Sequence, residues 1–310
     1  MQVSFIIPLF NCLPLSQACL DSLRRSLPGD LTHEIILVDN GSSDGTGTWL
    51  AELAAPIRVI RNANNLGYAK ANNQGAAAAQ GEWLCLLNND LHLAPGWFEP
   101  MLALAQRLGP AAGAIGNVQR RVVDRAIDHS GIFINARCKP EHDRSWYPWP
   151  RRWRRVPAVT GACLLIRRTD FIATGGFDEQ FTNGGEDVDL CLRLACQGRI
   201  NAVALRSRIL HHVSATPGRK LKDEQNSRRL AEKWGREFQQ RAARRWCWHA
   251  LQTRWTGSGL AENWPEALIL LRCALHLTAQ PPDVVRHGVE LHMAAEFARW
   301  QKLLGAKSGA

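Results

Sequence analysis

The chain has 310 residues, 45% of them hydrophobic, and a formal net charge of +10. That apolar content supports one large core, or one core with an appendage. No apolar run reaches the ~20 residues of a membrane-spanning helix; the nearest, "ALILLRCALHL", is broken by Arg272 and His276. Nine cysteines lie scattered without a C-x-x-C pair, which fits reduced thiols in a cytosolic protein and speaks against structural zinc.

The opening "MQVSFIIPLF" lacks a basic n-region and a small-residue cleavage site, so it reads as a strand rather than a signal peptide. "PLSQACLDSLRRSL" has apolar residues at helical spacing, and "EIILVDN" is a second strand. "GSSDGT" follows, with Asp44 or Ser43 placed to cap the next helix. "IRVIRN" reads as a third strand, "YAKANNQGAAAA" as an Ala-rich helix closed by Gly81, and "EWLCLLNND" as a fourth strand. Strands alternating with helices indicate βαβ units and a mainly parallel sheet. Ligands of such sheets sit outside the C-terminal strand ends, where Pro8 to Asn11, Asp39 to Ser43 and Asn88 to Asp90 fall.

Further on, "AAGAIGNVQ" and "DHSGIFIN" look like strands, and 139–157 like a long surface loop. "AVTGACLLIRR" is a strong strand, a helix is expected over "EDVDLCLR", and a short strand near 202–210 leads to "LHHVSAT". Helical patterns dominate from about 221. The expected organisation is one α/β domain over 1–250, then a helical extension over 251–310.

The charge is local. Residues 137–155 contribute +5 and residues 219–245 contribute +6, so the remainder sums to −1. Nine of the twelve tryptophans lie after residue 140, several inside these stretches. Trp beside Arg suits a membrane–water interface, a sugar face or a nucleic acid; a solvated basic face with its aromatics turned inward is the plainer reading.

Asp39 ends an apolar strand, where a carboxylate can accept from a base N–H or a ribose hydroxyl. The glycine-rich phosphate cradles G-x-G-x-x-G and G-x-x-x-x-G-K-[ST] are absent, which leaves a metal to hold a diphosphate. Asp90, behind two amides in "LLNND", offers the oxygen ligands that Mg²⁺ or Mn²⁺ prefers, although such an Asp also serves as a turn former. In "NGGEDVDLCLR", Glu186, Asp187 and Asp189 stand at a helix start. There they either complement the helix dipole or supply an ionised general base.

In order, "VSFIIPLFN", "ILVDNGSSDGT", "NNLGYAKANNQG", "GEWLCLLNNDLHLAPGW", "VTGACLLIRR", "GGFDEQFTNGGEDVDLCLR" and "LHHVSAT" resemble the motifs of family 2 glycosyltransferases across about residues 1–240. The resemblance is closest to the branch that builds bacterial surface polysaccharides, with its rhamnosyltransferase-like members. It implies an α/β GT-A fold, a Rossmann-like sheet flanked by helices, and metal-dependent inverting transfer from a nucleoside-diphosphate sugar. Pro8, Phe10 and Asn11 would line the base, Asp39 would accept its imide N–H, and Asn65 and Gly67 would sit near base or ribose. Asp90 takes the last acidic position of the family's D-x-D motif, and Asn88 stands where its first acid commonly lies, with Asn89 between them. That departure leaves the ion a single carboxylate. His211 fits the metal-site histidine, with His212 the alternative because the doubled His leaves the register open. Asp187 would be the base, and Glu186 would bond acceptor or backbone.

The resemblance further implies a catalytic domain over 1–250 with a nucleotide-binding half of about 1–110 and an acceptor-binding half of about 111–250, a dTDP- or UDP-linked donor, and a glycan or lipid-linked acceptor. The basic, Trp-rich stretches lead to the expectation of a cytoplasmic enzyme in peripheral contact with the anionic inner membrane face. No nucleic acid is expected, because Asp39, Asp90 and Asp187 at one sheet edge would repel its phosphates. Competing readings are sugar-1-phosphate nucleotidylyl transfer, a nucleic-acid-binding protein using the basic Trp-rich half, and a non-catalytic nucleotide-sugar-binding relative. The first lacks a glycine-rich N-terminal loop with a basic residue, and "PLFNCLPL" supplies neither.

Overall fold

A computed structural model describes residues 2–54, 56–148, 150–212, 219–255 and 264–305. The chain starts as β1 (Val3–Leu9), α1 (Leu13–Ser26), β2 (His33–Asp39), α2 (Thr46–Glu52), β3 (Ile57–Arg61), α3 (Tyr68–Ala78) and β4 (Trp83–Leu87). These four strands are the ones expected, and all pair in parallel in the order β3-β2-β1-β4. Next come β5 (Leu91–His92), α4 (Glu99–Leu108), β6 (Ala112–Arg121), β7 (Ile127–His129), β8 (Ile132–Ile134), β9 (Pro140–His142) and β10 (Trp153–Arg155). Then follow β11 (Cys163–Arg167), α5 (Arg168–Ala173), α6 (Glu186–Cys196) and β12 (Ile200–His211). The sheet continues β4-β11-β6-β12-β10, with β11 antiparallel to both neighbours and β12 parallel to β6.

One core lies between this sheet, α1 and α4. Val3, Phe5, Ile7 and Leu9 alternate down β1 onto Cys19, Leu20 and Leu23, and onto Trp97, Phe98 and Met101. The other face of β1 explains the alanine run of α3. A Cβ at Gly75 would come within 2.4 Å of the Ile6 side chain, so the helix can dock only through small residues.

Several local expectations are corrected. Helix α3 ends at Ala79, its extended C-cap, rather than at Gly81; Gly81 instead donates to Ser4 Oγ at 2.8 Å. Gly45 is the N-cap of α2, while Asp44 accepts from the Thr46 N–H and from the Leu13 N–H that opens α1. The loop expected at 139–157 contains β9 and β10, and the short strand near 202–210 is the twelve-residue β12.

The chain forms two compact units, Met1–Ile132 with His142–Pro217, and Phe133–Glu141 with Gly218–Ala310. The expected boundary near 250 falls inside α7 (Arg219–Trp255). The kink in α7 is at Trp234 rather than near 250, and the two units divide before α7. The second unit adds α8 (Trp264–Ala274) and α9 (Asp283–Gly305). No described helix is long and apolar enough to cross a membrane.

In the second unit Glu224 accepts from Lys139 Nζ at 2.9 Å, Trp300 Nε1 at 2.6 Å and the Arg299 guanidinium. Burial alone would raise its pKa, but these donors outweigh it and bring the carboxyl down to about 2. A depressed folded-state pKa contributes stability above the unfolded value and loses it as pH falls towards 2. Thermal midpoints of the wild type are therefore expected to drop between about pH 5 and pH 2 more steeply than those of Glu224→Gln; parallel curves would refute this.

Candidate active site

Strand direction gathers the candidate residues at one edge. Leu9 pairs with Asp39, Asp39 with Arg61, Cys163 with Leu87 and His211 with Arg121, so these ends open on the same side of the sheet. After β1 the chain turns through Asn11 and Cys12, both with left-handed φ near 55–58°. The Asn11 N–H reaches Ser42 Oγ at 2.9 Å, and Asn11 Oδ1 accepts from the Ser43 N–H at 2.8 Å. Buried Asp39 accepts from the Ser42 N–H at 3.0 Å, which braces its carboxylate at the strand tip. Gly41 permits this turn, since a Cβ there would meet the Asn64 backbone at 2.8 Å, with φ at +79°. Phe10 is exposed beside these groups, while Pro8 is buried in the sheet opposite Val38.

Asn65 and Gly67 join the same edge through Asn40. Its amide nitrogen donates to Asn65 Oδ1 at 2.9 Å and to the Gly67 carbonyl at 3.2 Å; its oxygen accepts from Asn62 and from the Leu66 N–H. All these hydrogen-bonding positions are used, so the loop after β3 is fixed to the end of β2.

Past β4, the Asp90 carboxylate and His211 Nε2 lie 3.2 Å apart, both side chains largely buried. His212 turns outward, and only its backbone N–H meets the Asp90 carbonyl. The placement of the two rings decides the doubled histidine: His211, the last residue of β12, is turned inward to Asp90, and His212, just past the strand, is exposed. Among the described residues the buried Asn88 Oδ1 has no hydrogen-bond partner, whereas Asn89 turns to Ser16 of α1 at 2.8 Å. A carboxylate, an imidazole and an orphaned amide oxygen suit a divalent ion of the Mg²⁺ or Mn²⁺ kind. Among the described residues no three His, Cys, Asp or Glu side chains converge on one point, so substrate oxygens would have to complete such a shell.

Helix α6 begins at Gly185 in the left-handed region and presents the acidic turn. Glu186 is buried and accepts from the Gly184 N–H at 2.8 Å. Asp189, wholly buried, is ion-paired with Arg193 at 2.8 Å, and Arg193 also donates to the Thr174 and Gly176 carbonyls. Asp189 is thus committed to packing. Asp187 is half-buried, accepting from the Val188 N–H at 2.8 Å and the Gly161 N–H at 2.9 Å. The first bond is a helix-start bond. The second crosses to the turn before β11, and capping alone does not require it.

A family model of glycosyl transferase family 2 matches residues 4–174, and one of a glycosyltransferase-like family 2 matches 150–235. The chain belongs to glycosyltransferase family 2. An uncharacterised protein of Sinorhizobium fredii is 34% identical over 73% of this chain and 26% of its own length. An O-antigen biosynthesis protein of Myxococcus xanthus is 31% identical over 69% of this chain and 18% of its own length. The chain thus spans about a quarter or less of the length of those two relatives. An N-acetylglucosaminyl-diphospho-decaprenol L-rhamnosyltransferase of Mycobacterium tuberculosis is 30% identical over 63% of this chain and 71% of its own length. Two solved structures share the GT-A fold. GalNAc-T7, crystallised with UDP, GalNAc and Mn²⁺, has a TM-score of 0.64 at 18% identity, over 77% of this chain and 50% of that one. Staphylococcus aureus TarS with UDP-GlcNAc has 0.61 at 15% identity, over 97% and 91%.

Four residues of the candidate site escape sequence reasoning. Asn40, Tyr68, His129 and Gly161 act through contacts 25 to 93 residues away, which no local pattern displays. Tyr68 donates to the Gly161 carbonyl at 2.8 Å, on the peptide next to the one that meets Asp187. Burial, with the Glu186, Asp187 and Asp90 carboxylates nearby, holds the phenol pKa well above its usual value, so it stays a donor. Burial pushes the His129 pKa well below its usual value, and the neutral ring accepts from the Thr160 and Gly131 N–H groups through Nε2. The turn carrying Gly161 is therefore held from both sides.

Tyr68→Phe leaves the Gly161 carbonyl without its donor, a loss of about 1–3 kcal/mol if none replaces it. Turnover is expected to fall roughly tenfold with nucleotide affinity unchanged, and steady-state kinetics beside nucleotide titration checks it. Unchanged turnover would remove Tyr68 from the site.

Proposed function

We propose that this chain is a metal-dependent, inverting glycosyltransferase of bacterial cell-surface polysaccharide synthesis. It would move a rhamnosyl or other hexosyl residue from a dTDP- or UDP-linked donor to a hydroxyl of a glycan or lipid-linked acceptor. The observation that supports this best is the gathering of Asp39, the Asp90–His211 pair and Asp187 at one sheet edge. Asp39, Asn11 and the exposed Phe10 would bind the base, and the Asn40-braced loop with Asn65 and Gly67 would lie near base or ribose.

Asp187 is the group with the chemistry of a base. Two backbone N–H donors orient its carboxylate. In the proposed step it takes the proton of the acceptor hydroxyl as that oxygen bonds to the anomeric carbon, and the bond to the nucleoside diphosphate breaks on the opposite face. Glu186 holds the Gly184 backbone, which shapes the turn that presents Asp187. Asp90, His211 and Asn88 Oδ1 would hold Mg²⁺ or Mn²⁺, which when bound supplies positive charge for the departing diphosphate.

The M. tuberculosis relative's name describes rhamnose transfer to a lipid-diphosphate sugar. That supports a dTDP-rhamnose donor and a lipid-diphosphate acceptor as first choices, with UDP-sugars next. A donor screen scored by nucleoside diphosphate release, with lipid-linked acceptors added, tests the reading. No acceptor-dependent release from any dTDP- or UDP-sugar would overturn it.

Peripheral attachment at the cytoplasmic face of the inner membrane accompanies this reading. Arg154 is tied to Asp143 and the Ser130 carbonyl, while Arg151, Arg152 and Arg155 are exposed. A basic side chain close to an anionic surface is worth about 1 kcal/mol. Sedimentation with anionic but not zwitterionic vesicles, weakened by salt and by changing those three arginines to Gln, is the expected result. Protein left in the supernatant at low salt would refute it.

A further inference from the structure

The second half of the sheet carries a groove that the chemistry above does not use. Alternation along β6 puts Gly116, Val118 and Arg120 on one face, and Gly116 identifies which. A Cβ there would come within 2.7 Å of Val159, whose carbonyl faces Cys191 Sγ of α6. Arg208 of β12 stands opposite Val118 in the parallel register. The groove lies on the sheet face that α6 covers, the helix that bears Asp187. Val118, Arg120, Trp146, Tyr147, Leu205 and Arg208 line it.

Its chemistry is specific. Trp146 is 64% exposed, a large apolar surface left in water. The Tyr147 ring is fixed beside it, with Arg154 stacked 4.2 Å from its centroid and its hydroxyl donating to Asp143 at 2.7 Å. Asp143 is thereby used by Arg154. Arg120 donates one N–H to the Arg125 carbonyl, and among the described residues neither Arg120 nor Arg208 has a carboxylate partner. Two uncompensated guanidiniums beside two aromatic rings and an apolar floor call for an anion attached to a ring with an apolar face. Guanidinium forks match phosphate oxygens in pairs, and aromatic rings take up the C–H face of a pyranose through apolar contact.

We propose that this groove is an acceptor subsite for a sugar linked to a phosphate or diphosphate ester, with Arg120 and Arg208 on the anion and Trp146 and Tyr147 against the sugar. The proposal rests on the glycosyltransferase reading and on Asp187 as base, because an acceptor hydroxyl must reach α6. The donor's diphosphate is a second source of the same anion, and it belongs at the Asp90 edge.

Titration calorimetry on the full chain separates the two, with three probes: decyl-diphosphate-linked N-acetylglucosamine, the neutral decyl N-acetylglucosaminide, and dTDP or UDP. The wild type is expected to bind the diphosphate sugar at least about tenfold more tightly than the neutral glycoside. Arg120→Gln with Arg208→Gln should abolish that preference and leave nucleotide affinity unchanged, and Trp146→Ala should weaken both glycosides alike. A preference retained by the double variant, with nucleotide binding intact, overturns the groove alone. A loss of nucleotide affinity in the double variant also overturns it, by giving these arginines to the donor. A wild type that binds neither dTDP nor UDP, with or without Mn²⁺, overturns the glycosyltransferase reading itself. Circular dichroism of each variant guards against misfolding.

Discussion

Asp187→Asn is expected to lower sugar transfer by about 10²–10⁴-fold, the usual cost of losing a general base, with dTDP or UDP affinity within a few-fold of wild type. Asn has nearly the shape of Asp and keeps one oxygen to accept a backbone N–H. However, both Asp187 oxygens accept, from Gly161 and from Val188. The amide must therefore turn its NH₂ towards one donor, which costs about 1 kcal/mol of stability. A small fall in melting temperature with a large fall in turnover is the signature of a base. A comparable fall in both would mean that the carboxylate only holds the Gly161 turn to α6. Glu186→Gln is the comparison, since Glu186 is buried and accepts from the Gly184 N–H, and its loss is expected to cost less turnover than that of Asp187. Turnover of Asp187→Asn near the wild-type value would sink the assignment.

Chelation is the second test. Excess EDTA should remove transfer, and Mg²⁺ or Mn²⁺ should restore it. Asp90→Ala and His211→Ala should each raise the half-maximal metal concentration by about 10–100-fold, a loss common even for partners one shell further out. His212→Ala should leave it unchanged, because its exposed ring is turned away from Asp90. Asn88→Asp should lower the requirement, since it puts a second carboxylate where a buried amide oxygen now lacks a partner. Direct Mn²⁺ titration by electron paramagnetic resonance reads these shifts without relying on turnover. Full activity in excess chelator would show that arginine or lysine neutralises the diphosphate instead.

The parallel half of the sheet was legible residue by residue. Runs such as "FIIPL", "IILV" and "WLCLL" are apolar throughout because both faces are covered, and that pattern belongs to buried parallel strands. The carboxylates at strand tips, Asp39 and Asp90, were legible for the same reason: a charge directly after such a run must sit at the sheet edge. The second half was less legible. β7, β8, β9 and β10 have three residues each, too short for alternation to register. The boundary near 250 was misplaced because a Trp- and Arg-rich helix looks the same on either side of a domain division.

By itself the sequence determined the α/β alternation, the ends at which ligands collect, and the acidic turn at Glu186 to Asp189. Each follows from spacing within one element or one turn. Tertiary structure decided which members of each set meet. It turned His211 rather than His212 to Asp90, because β12 pairs with β5 in one register. It assigned Asp189 to Arg193 and left Asp187 to the Gly161 peptide, 26 residues away. It brought Tyr68 to the other side of that turn across 93 residues. Hydrophobic periodicity encodes which face of an element is buried; which side chains then lie opposite depends on strand order and register, properties of the assembled sheet that no local window contains.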